Sequence, residues 1–289
     1  MRSHHRYEGR RLPRPHDELT DQGLGFDLGT LLGRRRMLQA LGLGAVVAGA
    51  AACGASTSSS SSPSPTSTVA AGGVTEIPDE TGGPYPGDGT NGVNVLTGSG
   101  IVRSDIRSSF GTSTTTALGV PLTFQLLVTD MANGDKPFAG AAVYVWHCDR
   151  EGRYSLYSDG VTNENYLRGV QVADPSGKVE FTTVFPGCYK GRWPHIHFEV
   201  YPDQAGIASH DNCISTSQLA VPQVACEAVY ATTGYQASVA NLAELTLATD
   251  NVFRDDGGVH QLATISGDVA AGYVASLAVP VDTRTTPSR

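Results

Sequence analysis

The chain has 289 residues, of which 40% are hydrophobic and 17% charged, and it carries a formal net charge of −8 at pH 7. That length is enough to bury a full core without staples, and the acidic balance excludes nucleic acid and charge-driven binding to anionic lipid. Small molecules or neutral polymers remain as partners.

The first 53 residues have the build of an export signal. A basic run, Arg34 to Arg36, precedes an apolar stretch from Met37 to Val47, then small residues and Cys53. The order Gly-Arg-Arg-x-Met-Leu-Gln from Gly33 resembles a twin-arginine signal, and the small residues before Cys53 resemble a lipoprotein signal. The expectation is therefore an exported, extracytoplasmic protein, secreted or lipid-anchored through Cys53 to the outer face of the cell membrane. The apolar run falls well short of the ~20 residues that span a bilayer. Residues 54–75 form a Ser/Thr/Pro-rich tract with little to bury and read as a flexible tether. Without residues 1–53 the chain keeps 12 Lys and Arg against 23 Asp and Glu, so the mature domain is more acidic still.

Residues 76–289 read as one β-rich domain. Strands are predicted over 121–130, 139–149, 178–185 and 195–201, separated by turn signals such as "MANGDKP" and "DPSG". The segments 260–268 and 272–282 read as a closing hairpin, and 238–248 as a short helix. The spacing predicts an all-β fold, an antiparallel β-sandwich with long irregular loops and few short helices. With Cys53 set aside, Cys148, Cys188, Cys213 and Cys226 remain, and an even number in an exported chain predicts two disulfides. Of the three pairings, Cys213 with Cys226 and Cys148 with Cys188 is preferred, because the first closes a short loop.

Chemistry concentrates in "PGCYKGRWPHIHFEV", residues 186–200. In a strand His195 and His197 share one face while Ile196 points to the other, so two imidazoles can reach one metal ion. Exposed strand histidines are the plainer reading. Arg192 nearby would repel them when protonated, which makes little sense for stability and good sense beside a metal with anionic ligands. Tyr189 follows a turn at Pro186 and Gly187, and Tyr154 ends a turn of its own in "VWHCDREGRYSLY". Two phenolates with two imidazoles suit Fe(III) better than zinc. His147, His210 and His260 read as ordinary histidines, the latter two isolated in loops, and Arg168 reads as a structural hydrogen-bond or ion-pair partner.

The segments "VYVWHCDREGRYS", "YLRGVQVADPSGKVEFTTVFPGCYKGRWPHIHFEV" and "STSQLAV" together resemble the intradiol ring-cleavage dioxygenases, with the likeness running from about "ETGGPYPG" (80–87) to "YVASLAVPVD" (273–282). The resemblance implies that Tyr154, Tyr189, His195 and His197 ligate a non-haem Fe(III). It also implies that Arg192 is the active-site arginine, that Gln218 supports it, and that Pro84 and Tyr85 wall the substrate pocket. On that reading Tyr189 is the ligand displaced by substrate. The implied reaction takes a catechol and O2 to a cis,cis-muconate-type product, cutting the ring between its two hydroxylated carbons. The short stretch between Cys53 and Glu80 leaves no room for the helical N-terminal segment of the catechol-type members, so the core is expected to be nearer the protocatechuate type. A cell-surface module that binds polysaccharide or aromatic polymer around a structural or vestigial metal, and a metal-capture protein, are the competing readings.

Overall fold

The computed structural model describes residues 74–285, and outside them only a backbone ladder in which Arg6–Tyr7 pairs antiparallel with Arg10–Arg11. The expected export signal and nearly all of the tether otherwise lie outside the described residues. No helix among the described residues is long and apolar enough to cross a membrane.

The domain's strands are β1 (Pro121–Asp130), β2 (Lys136–Pro137), β3 (Ala142–Trp146), β4 (Arg168–Val172), β5 (Lys178–Val184), β6 (His195–Tyr201), β7 (Ser215–Ala220), β8 (Thr264–Asp268) and β9 (Gly272–Val281). Two short helices, α1 (Gln223–Tyr230) and α2 (Gln236–Ala243), follow β7. One sheet runs β8-β9-β1, with β2 and β5 sharing the other edge of β1; the second runs β4-β3-β6-β7. The predicted strands are present, with 139–149 shortened to Ala142–Trp146. The predicted helix over 238–248 starts and ends earlier, at Gln236 and Ala243.

One pairing departs from an all-antiparallel sandwich. β9 runs parallel to β1 from Tyr273 opposite Leu122 to Val281 opposite Asp130. Parallel neighbours need a long connection, and here the second sheet and both helices make up that connection.

The pleat of the strands explains where the core lies. Leu122, Phe124, Leu126 and Val128 of β1 meet Val143 and Val145 of β3 and Ile196, Phe198 and Val200 of β6 in one cluster between the sheets. The alternate residues, Tyr144, Trp146, His195, His197, Glu199 and Tyr201, therefore turn outward. In a bare two-layer sandwich that face would be wet, yet all of β6 is buried. Loops form a third layer over it. Val170 donates its amide to the Ile101 carbonyl, Tyr144 Oη donates to the Pro86 carbonyl at 2.7 Å, and Val95, Leu96, Ile101 and Tyr154 pack on Tyr144 and Trp146. Polar side chains placed on this face are thus enclosed by loops, which is the setting an active site needs.

The expected disulfides are not formed: Cys148, Cys188, Cys213 and Cys226 are buried free thiols. The short separation of Cys213 and Cys226 does not bring them together. Cys213 packs under the outer loops, whereas α1 turns Cys226 into the core between the sheets. Burial pushes the Cys148 thiol well above its ordinary value, so it stays protonated and inert.

Candidate metal centre

The register of the second sheet builds the floor of the site. Arg168 stands opposite Trp146, Trp146 opposite His197, and His197 opposite Gln218, so residues from β4, β3, β6 and β7 form one row across the outer face. The Trp146 indole stacks flat on the His197 ring, with centroids 4.8 Å apart and planes at 4°. His195 Nδ1 is bonded to the Trp193 carbonyl, which fixes the proton on Nδ1 and leaves the Nε2 lone pair free.

Two interlocked turns deliver the tyrosines. The Asp149 carbonyl accepts the amides of Gly152 and Gly187, and Asp149 Oδ1 accepts those of Glu151 and Arg153. A Cβ on Gly187 would lie 2.8 Å from the carbonyl oxygens of both Asp149 and Arg150, so a side chain there would push the turns apart. Gly152, at φ +83°, lies as close on the other side, where a Cβ would meet Tyr189 Cβ at 3.1 Å. This contact brings the rings of Tyr154 and Tyr189 edge to face at 5.6 Å. Their Oη atoms then lie 3.4 Å and 3.5 Å from His195 Nε2, which is 3.0 Å from His197 Nε2.

Four donor atoms converge at one point, and their protonation suits a cation there. Burial, with the Arg192 charge, lowers His195 to about 3, and burial with neighbouring charge holds His197 well below its usual value, so both imidazoles are neutral. Burial pushes Tyr154 well above the ordinary phenol and Tyr189 to about 12. Two phenols facing two bare ring nitrogens form an arrangement that a cation, replacing the phenol protons, would satisfy as a whole. The residues present therefore fit a ferric ion.

Arg192 is held beside this cluster. Its Nε donates to Asp250 Oδ2 at 2.9 Å and its Nη2 to Gln218 Oε1 at 2.6 Å, while Gln218 Nε2 donates to the Thr81 carbonyl at 2.9 Å. Gly83, at φ +70°, passes so close that a Cβ would sit 3.4 Å from His197 Cε1. The chain then places half-buried Pro84 and Tyr85 at the mouth, with the Tyr85 ring 4.8 Å from that of Tyr154. Arg168, fully buried, donates to the carbonyls of Tyr85, Pro86 and Ser155 and so pins this segment down.

All the residues singled out in the sequence for the site are brought together: Tyr154, Tyr189, His195, His197, Arg192, Gln218, Pro84 and Tyr85. His147 lies apart from them, bonded to Thr183 Oγ1 and the Cys148 carbonyl, and His260 is exposed elsewhere. His210 corrects the expectation of an isolated loop residue, since it faces Asp88 and Glu199. Sequence reasoning missed Asp250 and Trp146. Asp250 in "LATDNVF" carries the signature of a turn aspartate and nothing that links it to Arg192.

Residues 104–205 match the family model described as Dioxygenase, a span that holds Tyr154, Tyr189, Arg192, His195 and His197. The chain is 35% identical over 85 residues to the chlorocatechol 1,2-dioxygenase of Pseudomonas sp. (strain P51), covering 23% of this chain and 34% of that one. It is 34% identical over 89 residues to catechol 1,2-dioxygenase 1 of Acinetobacter lwoffii, covering 24% and 29% respectively. It thus spans about a third or less of the length of these curated relatives. In fold it resembles a solved intradiol ring-cleavage dioxygenase from Tetranychus urticae, with a TM-score of 0.59 at 23% identity over 73% of this chain and 97% of the other. The family match over residues 104–205 and these likenesses support the intradiol ring-cleavage dioxygenase family.

Proposed function

We propose that the protein is a non-haem Fe(III) dioxygenase that inserts both atoms of O2 into a catechol and opens the ring between the hydroxylated carbons, giving a cis,cis-muconate-type product in the breakdown of aromatic compounds. The observation that carries this reading is the convergence of Tyr154 Oη, Tyr189 Oη, His195 Nε2 and His197 Nε2 beside a buried guanidinium. The family is one that uses iron. The bound ion would supply chelation of both catechol oxygens and activation of the ring towards dioxygen.

The chain's own residues divide the remaining work. Tyr189 is half-buried beside exposed Lys190, whereas Tyr154 is enclosed under Tyr85. Tyr189 is therefore the ligand free to swing out, and its Oη accepts a catechol hydroxyl proton as substrate binds. Tyr154, His195 and His197 stay in place. Arg192, fixed by Asp250 and Gln218, stabilises negative charge that develops on the ring as aromaticity is lost. Trp146 and Tyr85 exclude water around the ligands. Because the Arg192 charge is already matched by Asp250, the pocket suits a catechol without an acidic substituent. The signal-like residues 1–53 support action outside the cytoplasm, with Cys53 as the lipid anchor.

A surface-binding module has no use for four enclosed donors backed by an Arg–Gln–Asp cluster, so this alternative is not favoured. Purified protein should be reddish-brown from Fe(III)-tyrosinate absorption, shift its band when catechol is added without oxygen, and take up one O2 per catechol in air. Colourless protein that holds zinc in place of iron, or coloured protein that consumes no oxygen with any catechol, would overturn the reading.

A further inference from the structure

A second cluster of donors lies one pleat further along the outer face of β6. Glu199 is fully buried; its Oε2 accepts the Tyr201 hydroxyl at 2.7 Å, but its Oε1 has no hydrogen-bond partner. Asp88, also buried, uses Oδ1 to accept the amide and hydroxyl of Thr90 at 2.9 Å and 2.6 Å, which leaves Oδ2 facing inward. Between them stands His210 Nδ1, 3.1 Å from Asp88 Oδ2 and 3.5 Å from Glu199 Oε1, with no well-directed hydrogen bond to either. Each carboxylate thus has one oxygen tied down and the other turned towards the same ring nitrogen. The three inward donors lie within 4.8 Å of one another.

A proton on His210 does not satisfy this arrangement. One Nδ1–H can point at only one acceptor, so a carboxylate oxygen stays without a donor away from water. A divalent cation satisfies all three lone pairs together. The separations of 3.1 Å and 3.5 Å match the edges of a coordination shell whose bonds are about 2.0–2.2 Å long. One imidazole with two carboxylate oxygens suits a first-row ion better than calcium, which takes six to eight oxygens. The hydrogen bonds from Tyr201 and Thr90 are the outer support that ligating carboxylates ordinarily carry. His210 is partly exposed, which leaves room for water to complete the shell.

We infer that Asp88, Glu199 and His210 form a second metal site, distinct from the tyrosine–histidine centre, that binds a divalent first-row cation such as Zn(II). Its place in the fold gives it a structural role. Asp88 ends the segment that carries Pro84 and Tyr85 over the catalytic cluster, so an ion bridging Asp88 to Glu199 clamps that segment to β6.

The test uses the full-length protein carrying its iron, stripped of loosely bound metal and titrated with Zn(II), with metals per chain counted by mass spectrometry. One zinc per chain is expected in addition to iron, with a nitrogen and oxygen shell at the zinc X-ray absorption edge and no change in the visible band. His210→Ala and Asp88→Asn should each weaken zinc binding at least tenfold; Asp88→Asn keeps the side-chain shape, so it guards against a folding failure in the other. His197→Ala should retain this zinc whatever happens to the iron, so failure of the iron reading and failure of this one are told apart. Wild-type protein that takes up no zinc beyond its iron, zinc that persists in both variants, or zinc that is lost with His197→Ala would overturn the proposal.

Discussion

Asp250 holds Arg192 through a buried ion pair, Nε to Oδ2 at 2.9 Å, and the same oxygen accepts the Trp193 amide at 2.6 Å. Its other oxygen takes the amides of Val252 and Phe253. A single carboxylate therefore sets both the side chain of the arginine and the backbone from which β6 begins. Asp250→Asn keeps the shape and removes the charge. It should lower kcat on catechol by about 10–100-fold, the usual cost of losing an outer-shell partner, with KM less affected and iron content and colour retained. Arg192→Ala should likewise keep the colour and turn over poorly. Bleaching of either variant would contradict the separation of the arginine from the ligand set.

The same pair sets a pH dependence. Burial alone would raise the Asp250 carboxyl, but the Arg192 charge and the hydrogen bonds from Arg192, Trp193 and Val252 outweigh it and hold the group below 3.8. The sign follows from linkage: the unfolded state binds the proton first, so the stabilisation is fully present above 3.8 and is lost as pH falls through the lower folded value. Urea unfolding of the wild type should therefore show stability falling in strong acid. Asp250→Asn should be less stable at neutral pH and show a shallower decline. Parallel acid limbs in the two proteins would remove Asp250 from the account.

Removing a ligand should act differently from removing Arg192. Tyr154→Phe and His197→Ala each delete one of four converging donors and should lose iron, read as metal per chain and as loss of the visible band. Tyr189→Phe should bind iron more weakly than wild type but better than Tyr154→Phe, because Tyr189 is the half-buried donor assigned to leave when substrate binds. Chelator dialysis in the presence of a reductant should abolish the colour, and added iron should restore it.

Part of the candidate site was legible because it follows local rules, whereas Gln218, Pro84 and Tyr85 came only from the family resemblance. A period of two puts His195 and His197 on one face whatever the rest of the fold does, and the structure keeps them there. Tyr154 and Tyr189 were legible only as part of a spaced set, since their meeting depends on Gly152 and Gly187 allowing two turns to interlock. Asp250, the parallel pairing of β9 with β1 and the Asp88–Glu199–His210 cluster depend on long-range contacts that no local pattern encodes. β7 was hidden for a different reason. "STSQLA" lacks apolar alternation because the buried strand is hydrogen-bonded on both faces, Ser217 Oγ to the Pro78 carbonyl and Ser215 Oγ to Asp79 on one, and Gln218 to Arg192 and the Thr81 carbonyl on the other. The disulfide expectation rested on counting cysteines, and counting carries no geometry.

Arg168 offers a test of the loop layer. Its fork donates to the Pro86 carbonyl at 2.8 Å, to Tyr85 at 2.9 Å and to Ser155 at 3.0 Å, and its side chain is fully buried. Arg168→Met fills much of the volume but removes these donors, leaving the Pro86 carbonyl with Tyr144 Oη alone, at about 1–3 kcal/mol for each group left unsatisfied. A total loss of about 3 kcal/mol or more is expected, equivalent to a melting temperature lower by about 6–12 °C for a domain of this size. Since Tyr85 is one of the tethered residues, KM for catechol should rise as well. An unchanged melting temperature would show that the loops hold without this anchor.

Gly187 links the turns to the chemistry more directly. An alanine there would place its Cβ 2.8 Å from the carbonyl oxygens of Asp149 and Arg150, which are backbone atoms and cannot rotate away. The turns must separate, and with them Tyr154 and Tyr189, whose rings now meet at 5.6 Å. Gly187→Ala should therefore cost about 1–3 kcal/mol, as overpacking generally does, and also lower iron occupancy with a shifted visible band, although no ligand has been changed. Gly82→Ala is the control, because a Cβ there meets nothing closer than 3.8 Å and its φ is not positive. If both variants hold iron equally well, the interlocked turns do not set the spacing of the two phenols.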